Sequence, residues 1–470
     1  MTTLELKDIQ GLLIRGHGQL PSAQYLLYRF GDAGKGKKYL RSILPFIANG
    51  DEKPDTRAYQ LAFTFKGLEY LNLPTTALMS FSREFREGMT EANRQFILGD
   101  FHENSPENWE WGNEEIHLLL LVYARDAETL DEVLQEEAER AVLHQITLLH
   151  SLPTGFLLGQ KEHFGFRDDI SRPVIRELIG GKDLGHIPTF PAGEFIMGYK
   201  NLYDEYAPAP MVDPSDDIND LLPHNPDSKN LKDLGKNGTY LVFRQMSQNV
   251  FAFWEYLLAQ GKTREEAIRL ASKMVGRWPD GSPLVLCPEN SDPSQSEANK
   301  FGYWEEDPNG LKCPIGAHIR RTNPRDHLVT ERNKKDSSEM IAKHSMIRKG
   351  RPYGEPVADS MDPLEIIDKT EDHKERGLHF ICMVTDIRRQ FEFVQNNWVN
   401  FHKFGGLEHD ADPIIGNHYQ SENVVTDEFS MPAYPIKNRL KSLPNFTLIK
   451  GGAYFFFPGL NAIQFIADEK

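Results

Sequence analysis

The sequence predicts an α+β fold in two domains, with helices packed on antiparallel sheets. Two observations carry this. The chain has 470 residues, and a single core rarely grows past roughly 250–300 residues. In both halves, strand-like apolar runs are punctuated by helical runs whose apolar positions return on one face.

Residues 9–15 are short, apolar and branched, and read as a strand. Residues 24–30 read as a second short extended segment or the start of a helix, and residues 37–46 have helical apolar spacing. Residues 59–65 alternate like a half-buried strand, and residues 75–91 read as helical. The dense aliphatic run 115–123 reads as a buried strand. It leads into residues 127–149, rich in Glu, Leu, Ala and Arg, which read as one long amphipathic helix. From 180 to 237, Pro, Asp and Asn dominate and periodic apolar positions are few. This stretch reads as a linker or a large functional insertion, and the domain boundary falls in its later part, 215–237. In the second half, residues 239–243 are strand-like, 248–260 and 264–275 helical, 379–385 a strand, 387–399 a helix and 447–457 the last strand. No short-period repeat is visible.

The formal net charge of −16 argues against nucleic acid or an anionic membrane as partner, because both need a basic surface. The longest apolar run, residues 116–124, is far too short to span a bilayer. The first residues are polar and acidic, without the basic and apolar regions of a signal peptide. Three cysteines, Cys287, Cys313 and Cys382, are far apart and form no CxxC, which points to a reducing compartment. A cytoplasmic location is expected.

Several local patterns suggest chemistry. Residues 31–37 match GxxxxGK, but Lys38 stands where a P-loop needs Ser or Thr for magnesium, so the stretch reads as a basic loop before a helix. Glu408, His409, Asp410 and Asp412 form an acidic cluster whose spacing fits neither an EF-hand nor a zinc helix, and which reads as a solvated turn. In Cys313-Pro-Ile-Gly-Ala-His318-Ile-Arg-Arg-Thr-Asn323-Pro-Arg325 a histidine stands between small residues and a basic stretch. Haem meets both features: its iron takes an imidazole and its propionates take Arg or amide donors. A histidine on a strand beside a surface Arg cluster accounts for the same residues equally well. The segments Gly165-Phe-Arg-Asp168-Asp169-Ile170-Ser171-Arg172-Pro173 and Arg348-Lys-Gly-Arg-Pro-Tyr-Gly354 each read, alone, as turns.

Taken in order along the chain, these three segments resemble the dye-decolourising peroxidases, in particular the longer-chain group with insertions. That family carries a GxxDG element, a proximal histidine in an AHIRxxNPR-like segment and a distal arginine in an RxxxPYG-like segment. Weaker resemblance extends through residues 193–201, Gly276-Arg-Trp-Pro279, residues 387–393, Asp412-Pro-Ile-Ile-Gly416 and residues 451–459. Two positions depart from the pattern. Asp169 stands where the family has glycine, and Arg172 where relatives often have glutamine.

The resemblance implies two ferredoxin-like α+β domains, 1–225 and 226–470, with one haem b per chain in the second. It implies His318 as the iron ligand, with Asp412 as the carboxylate behind it and Asp410 as the alternative. Asp168 would act as acid–base on hydrogen peroxide and Arg348 would stabilise negative charge. Asn323 and Arg325 would hold a propionate, and Asp169, Ile170 and Ser171 would cover the haem face. The implied reaction is peroxide-dependent one-electron oxidation of dyes, phenols or other organic reductants, by a monomer or homo-oligomer. A haem-binding sensor or carrier with little turnover is the alternative, and Asp169 is its main support.

Overall fold

The computed structural model describes residues 3–180, 182, 188–328 and 333–468. One sheet runs through the molecule, built from β1 Ser22–Phe30, β2 Arg57–Phe63, β3 Leu118–Ala124, β4 Ile146–Thr154, β5 Thr239–Gln248, β6 Ile347–Arg348, β7 Arg351–Tyr353, β8 Gly377–Val384 and β9 Thr447–Phe457. The strand order is β6-β8-β5-β9-β2-β3-β1-β4, with β7 also paired to β8. All of these pairings are antiparallel.

That order is the same motif twice. The first half runs β4-β1-β3-β2 and the second β9-β5-β8-β6, each the arrangement of a split β-α-β unit of ferredoxin-like type. The expected two-fold ferredoxin-like pattern is therefore present. It also reveals a structural duplication that the sequence does not display. The halves meet where Phe63 of β2 opposes Phe456 of β9. Between β4 and β5, residues 155–238 contribute no described strand to this sheet.

The main helices are α1 Ala33–Ile43, α2 Ala127–Leu143, α3 Val250–Gln260, α4 Arg264–Val275, α5 His318–Thr322 and α6 Leu460–Ala467. The run 31–37 is the start of α1, and the Asp32 carboxylate caps it by accepting the Lys35 N–H at 2.8 Å. Strand β3 is apolar throughout because both of its faces are covered. Leu118, Leu120 and Val122 join one core cluster, while Leu119, Leu121 and Tyr123 join the other.

Several expectations are corrected. Residues 9–15 do not form a strand: Gly11–Ile14 is a single helical turn, closed by Arg15 N–H to the Gly11 carbonyl and buried on several sides. Short apolar runs do not distinguish the two states. The 127–149 helix stops at Leu143, and after a left-handed turn at Gln145 (φ 56°) the chain becomes β4. The β-branched pair Ile146-Thr147 favours that change. Residues 75–91 break into Thr75–Ser80 and Arg83–Glu87, because Ser82 caps the second piece.

Of the 180–237 stretch, residues 181 and 183–187 lie outside the described residues. The rest is no free linker: Phe195, Ile196 and Met197 are fully buried, and the Thr385 hydroxyl donates to the Gly193 carbonyl at 2.9 Å. The expected 387–399 helix is present as wide π-type turns, Arg388–Glu392 and Val394–Asn400. Helix α6 follows the last strand and packs on α1 of the first half.

Candidate functional site

A cavity of about 1430 Å³ opens on the second half of the molecule. Its apolar walls come from the sheet and the π-type turns, including Met246, Leu378, Phe380, Phe391 and Val394. The loop 160–173, which leaves β4, folds over it from the first half. Asp168, Asp169, Ile170, Ser171, His318, Asn323, Arg325 and Arg348 all line this one cavity. Asp412 stands directly behind His318. Residues from three distant stretches of sequence thus converge on one space.

His318 opens helix α5, and its ring is about a quarter exposed to the cavity, at 24%. Its Nδ1 lies 2.9 Å from Asp412 Oδ2 and 3.2 Å from Oδ1. No hydrogen bond engages Nε2 among the described residues. Burial acts to lower the imidazole pKa, but the charge and hydrogen bond of Asp412 outweigh it, and the net shift is upward. The charges of Arg348 and Asp168 also reach this ring.

Asp412 is fully buried. Burial alone would raise its pKa, yet His318 and Arg321 hold it below the usual carboxylate range. Its Oδ1 accepts the backbone N–H groups of Ile414 and Ile415 at 2.9 and 3.1 Å. Its own N–H donates to the Val399 carbonyl at 2.8 Å, so the π-type turns fix where it stands. Asp410, the alternative partner, instead accepts from the Ser430 N–H and hydroxyl. Asp410 and Asp412 are both buried, so the acidic cluster is not a solvated turn. Among the described residues, no group of three or more His, Cys, Asp or Glu side chains is arranged to hold a bare metal ion.

On the loop side, Asp168 Oδ1 accepts the Asp169 N–H at 2.6 Å and lies 3.8 Å from Arg348 Nη1. Arg348 Nη2 donates to the Ser171 carbonyl at 3.2 Å. Asp169 has φ 62°, a left-handed conformation that glycine adopts without cost and Asp tolerates better than most residues. Ile170 packs so closely on Gly281 (φ 100°) that a Cβ there would stand 2.8 Å from Ile170 Cδ1.

The Asn323 Oδ1 accepts the Arg325 N–H at 3.2 Å. The Arg325 guanidinium donates to the Asn299 and Phe301 carbonyls at 2.9 and 3.3 Å and stacks 3.7 Å over the Phe301 ring. Burial lowers its pKa.

Two contributors were not singled out from sequence. Arg321 is fully buried and donates to the carbonyls of Trp398, Phe401 and Asp410, tying α5 to the Asp412 segment. The basic run after His318 was its only signal. Glu162 lines the cavity behind the loop and accepts the Phe164 and Phe166 N–H groups, each at 2.9 Å. No local pattern marked it.

No family model matches the chain. Curated relatives do. A dye-decolorizing peroxidase of Mycetinis scorodonius is 28% identical over 98% of this chain and 87% of its own length. A multifunctional dye peroxidase of an Amycolatopsis strain is 33% identical over 47% of each chain. Among solved structures, a decolorizing peroxidase of Auricularia auricula-judae superposes with a TM-score of 0.77 at 25% identity, covering 99% of this chain and 100% of that one. A DyP-type peroxidase of Anabaena sp. shares the fold with a TM-score of 0.77 at 23% identity, over 98% of this chain and 94% of that one.

Proposed function

We propose how this chain, which belongs to the dye-decolourising peroxidase family and is by that descent a haem-dependent peroxidase, carries out its reaction. Hydrogen peroxide is reduced, and dyes, phenols or other organic reductants are oxidised in one-electron steps. The observation that carries the reading is the convergence of His318, backed by Asp412, with Asp168 and Arg348 on one large cavity.

The donor set suits one haem b per chain. A single imidazole leaves one nitrogen unbonded, the walls are apolar enough for a macrocycle, and Asn323 and Arg325 offer polar contacts for its carboxylates. When bound, the haem supplies the iron whose redox changes carry the reaction. The chain's residues do the rest. His318 Nε2 would hold the iron, and Asp412 fixes the tautomer of that ring and raises its basicity. Asp168 takes a proton from the peroxide and returns it to the departing oxygen. Its Oδ1 is occupied by the Asp169 N–H, and Oδ2 is the atom that works. Arg348 stabilises the negative charge that develops on oxygen. The backbone of Asp169, Ile170 and Ser171 limits access to the cofactor face.

The sensor or carrier alternative rests on the extra carboxylate of Asp169. That carboxylate is paired with Arg172, which weakens the alternative. Among the described residues, no helix is long and apolar enough to cross a membrane. Three free cysteines, two of them buried, support a cytoplasmic location.

The test is the pair of variants Asp168→Asn and Arg348→Leu. Both keep the haem absorption band, and Asp168→Asn loses turnover by roughly 10²–10⁴-fold, the usual range for a positioned acid–base. Full rates with hydrogen peroxide in both would overturn the assignment.

A further inference from the structure

We propose that Asp169 and Arg172 form a clasp that positions Asp168, and that the two residues act as one unit. The inference rests on the peroxidase reading above. Asp169 occupies the left-handed region at φ 62°, which a residue with a Cβ holds only when its surroundings offset the strain. Arg172 supplies that offset. Its Nε lies 2.5 Å from Asp169 Oδ1 and donates also to the Asp169 carbonyl at 3.2 Å, while its Nη2 engages Oδ2. The two-pronged contact on one carboxylate fixes geometry as well as charge.

The clasp closes a ring of contacts around the acid. Asp168 Oδ1 takes the Asp169 N–H, Arg348 holds the Ser171 carbonyl and faces Asp168, and Arg172 returns to Asp169. The Asp169 amide thus sets the Asp168 carboxylate, and Arg172 sets that amide. The pair also cancels its own charge beside Asp168 and Arg348. Exposed single ion pairs are worth little, but this one is two-pronged, local in sequence and holds a strained turn. Asp169 and Arg172 are positioning residues.

The experiment is a double-mutant cycle on the haem-loaded full-length protein with Arg172→Gln, Asp169→Gly and the double variant. Two quantities are measured: kcat and KM for hydrogen peroxide, and the spectroscopic Kd for cyanide at the ferric haem. Arg172→Gln leaves a strained turn and an unpaired carboxylate beside Asp168. It is expected to lower kcat/KM and weaken cyanide binding, each on the order of tenfold, as a misplaced catalytic group does. Asp169→Gly leaves an unpaired guanidinium and is expected to lose several-fold. The double variant removes strain and both charges together, and is expected to recover to within about threefold of the natural protein.

Additive losses in the double variant, or an Arg172→Gln variant equal to the natural protein, overturn the clasp while leaving the peroxidase reading intact. A natural protein with no haem band or no turnover overturns the peroxidase reading itself. If Arg172→Gln does not fold, Arg172→Lys decides. Lysine keeps the charge without the second prong, so an intermediate loss supports the clasp and an unchanged rate overturns it.

Discussion

Asp412 holds His318 from behind, accepting its Nδ1 hydrogen at 2.9 Å from a fully buried position. Against its burial, the charge and hydrogen bond of His318, then Arg321 and the Ile414 N–H, hold that carboxylate below its usual range. The pair acts as a unit: the carboxylate fixes the ring, and the ring's other nitrogen is the one that would take the iron. Replacing Asp412 with Asn keeps the shape and removes the charge. Asp412→Asn is expected to retain haem but lose about 10–100-fold in activity, the usual cost of removing such a partner. Steady-state rates normalised to haem content check this, and unchanged rates would contradict it.

Glu162 predicts a pH signature in stability. Burial pushes its carboxyl up to about 7, against the hydrogen bonds from Phe164, Phe166 and Gln248 that favour ionisation. The folded state therefore binds a proton that the unfolded chain has released above its ordinary value of 4.5. The stabilisation is present below that value and is lost as pH rises through 7. Thermal unfolding of the natural protein and Glu162→Gln at pH 5 and pH 8 measures it. The natural protein's advantage over the variant is expected to shrink at the higher pH, and a gap independent of pH would contradict the assignment.

His379 predicts the opposite slope. Its ring is fully buried on β8, stacked 4.6 Å from Tyr353, and neither nitrogen has a hydrogen-bond partner among the described residues. Burial lowers its pKa from 6.5 to about 3. Between those values the unfolded chain binds the proton, so stability is lost as pH falls through that window. His379→Phe is expected to raise stability at pH 7 by about 1 kcal/mol, since an unpartnered buried polar group is removed. It is also expected to flatten the loss towards pH 5. Denaturant unfolding at both pH values checks this, and a variant less stable than the natural protein at both would contradict it.

Much of the site was legible before any fold was known, because its chemistry is carried by short motifs. The segments at 165–173 and 348–354 each read as ordinary turns alone, the segment at 313–325 read equally as a haem site or as a histidine on a strand beside an Arg cluster, and only their order made them meaningful. Strands β3 and β9 and helices α3 and α4 followed from apolar spacing. The misses have physical causes. The turn at 11–14 depends on tertiary packing that overrides local propensity, and the start of β4 is marked only by the short β-branched pair Ile146-Thr147 at the end of a helical run. The duplication is one of strand order, which residue patterns do not record. Arg321 and Glu162 act through backbone groups that fold back on them, and such contacts leave no local trace. Asp169 was read only as a departure from the family's glycine, and its pairing with Arg172 became visible only in three dimensions.

The proposed mechanism stands on His318 as the residue that would hold the haem iron. An absorption spectrum of the purified natural protein and of His318→Ala, each supplied with haem and then with one equivalent of hydrogen peroxide, tests it most directly. The natural protein is expected to show a Soret band that shifts on peroxide addition, and the variant altered ligation with no such response. Identical spectra and haem content in the two proteins would contradict it.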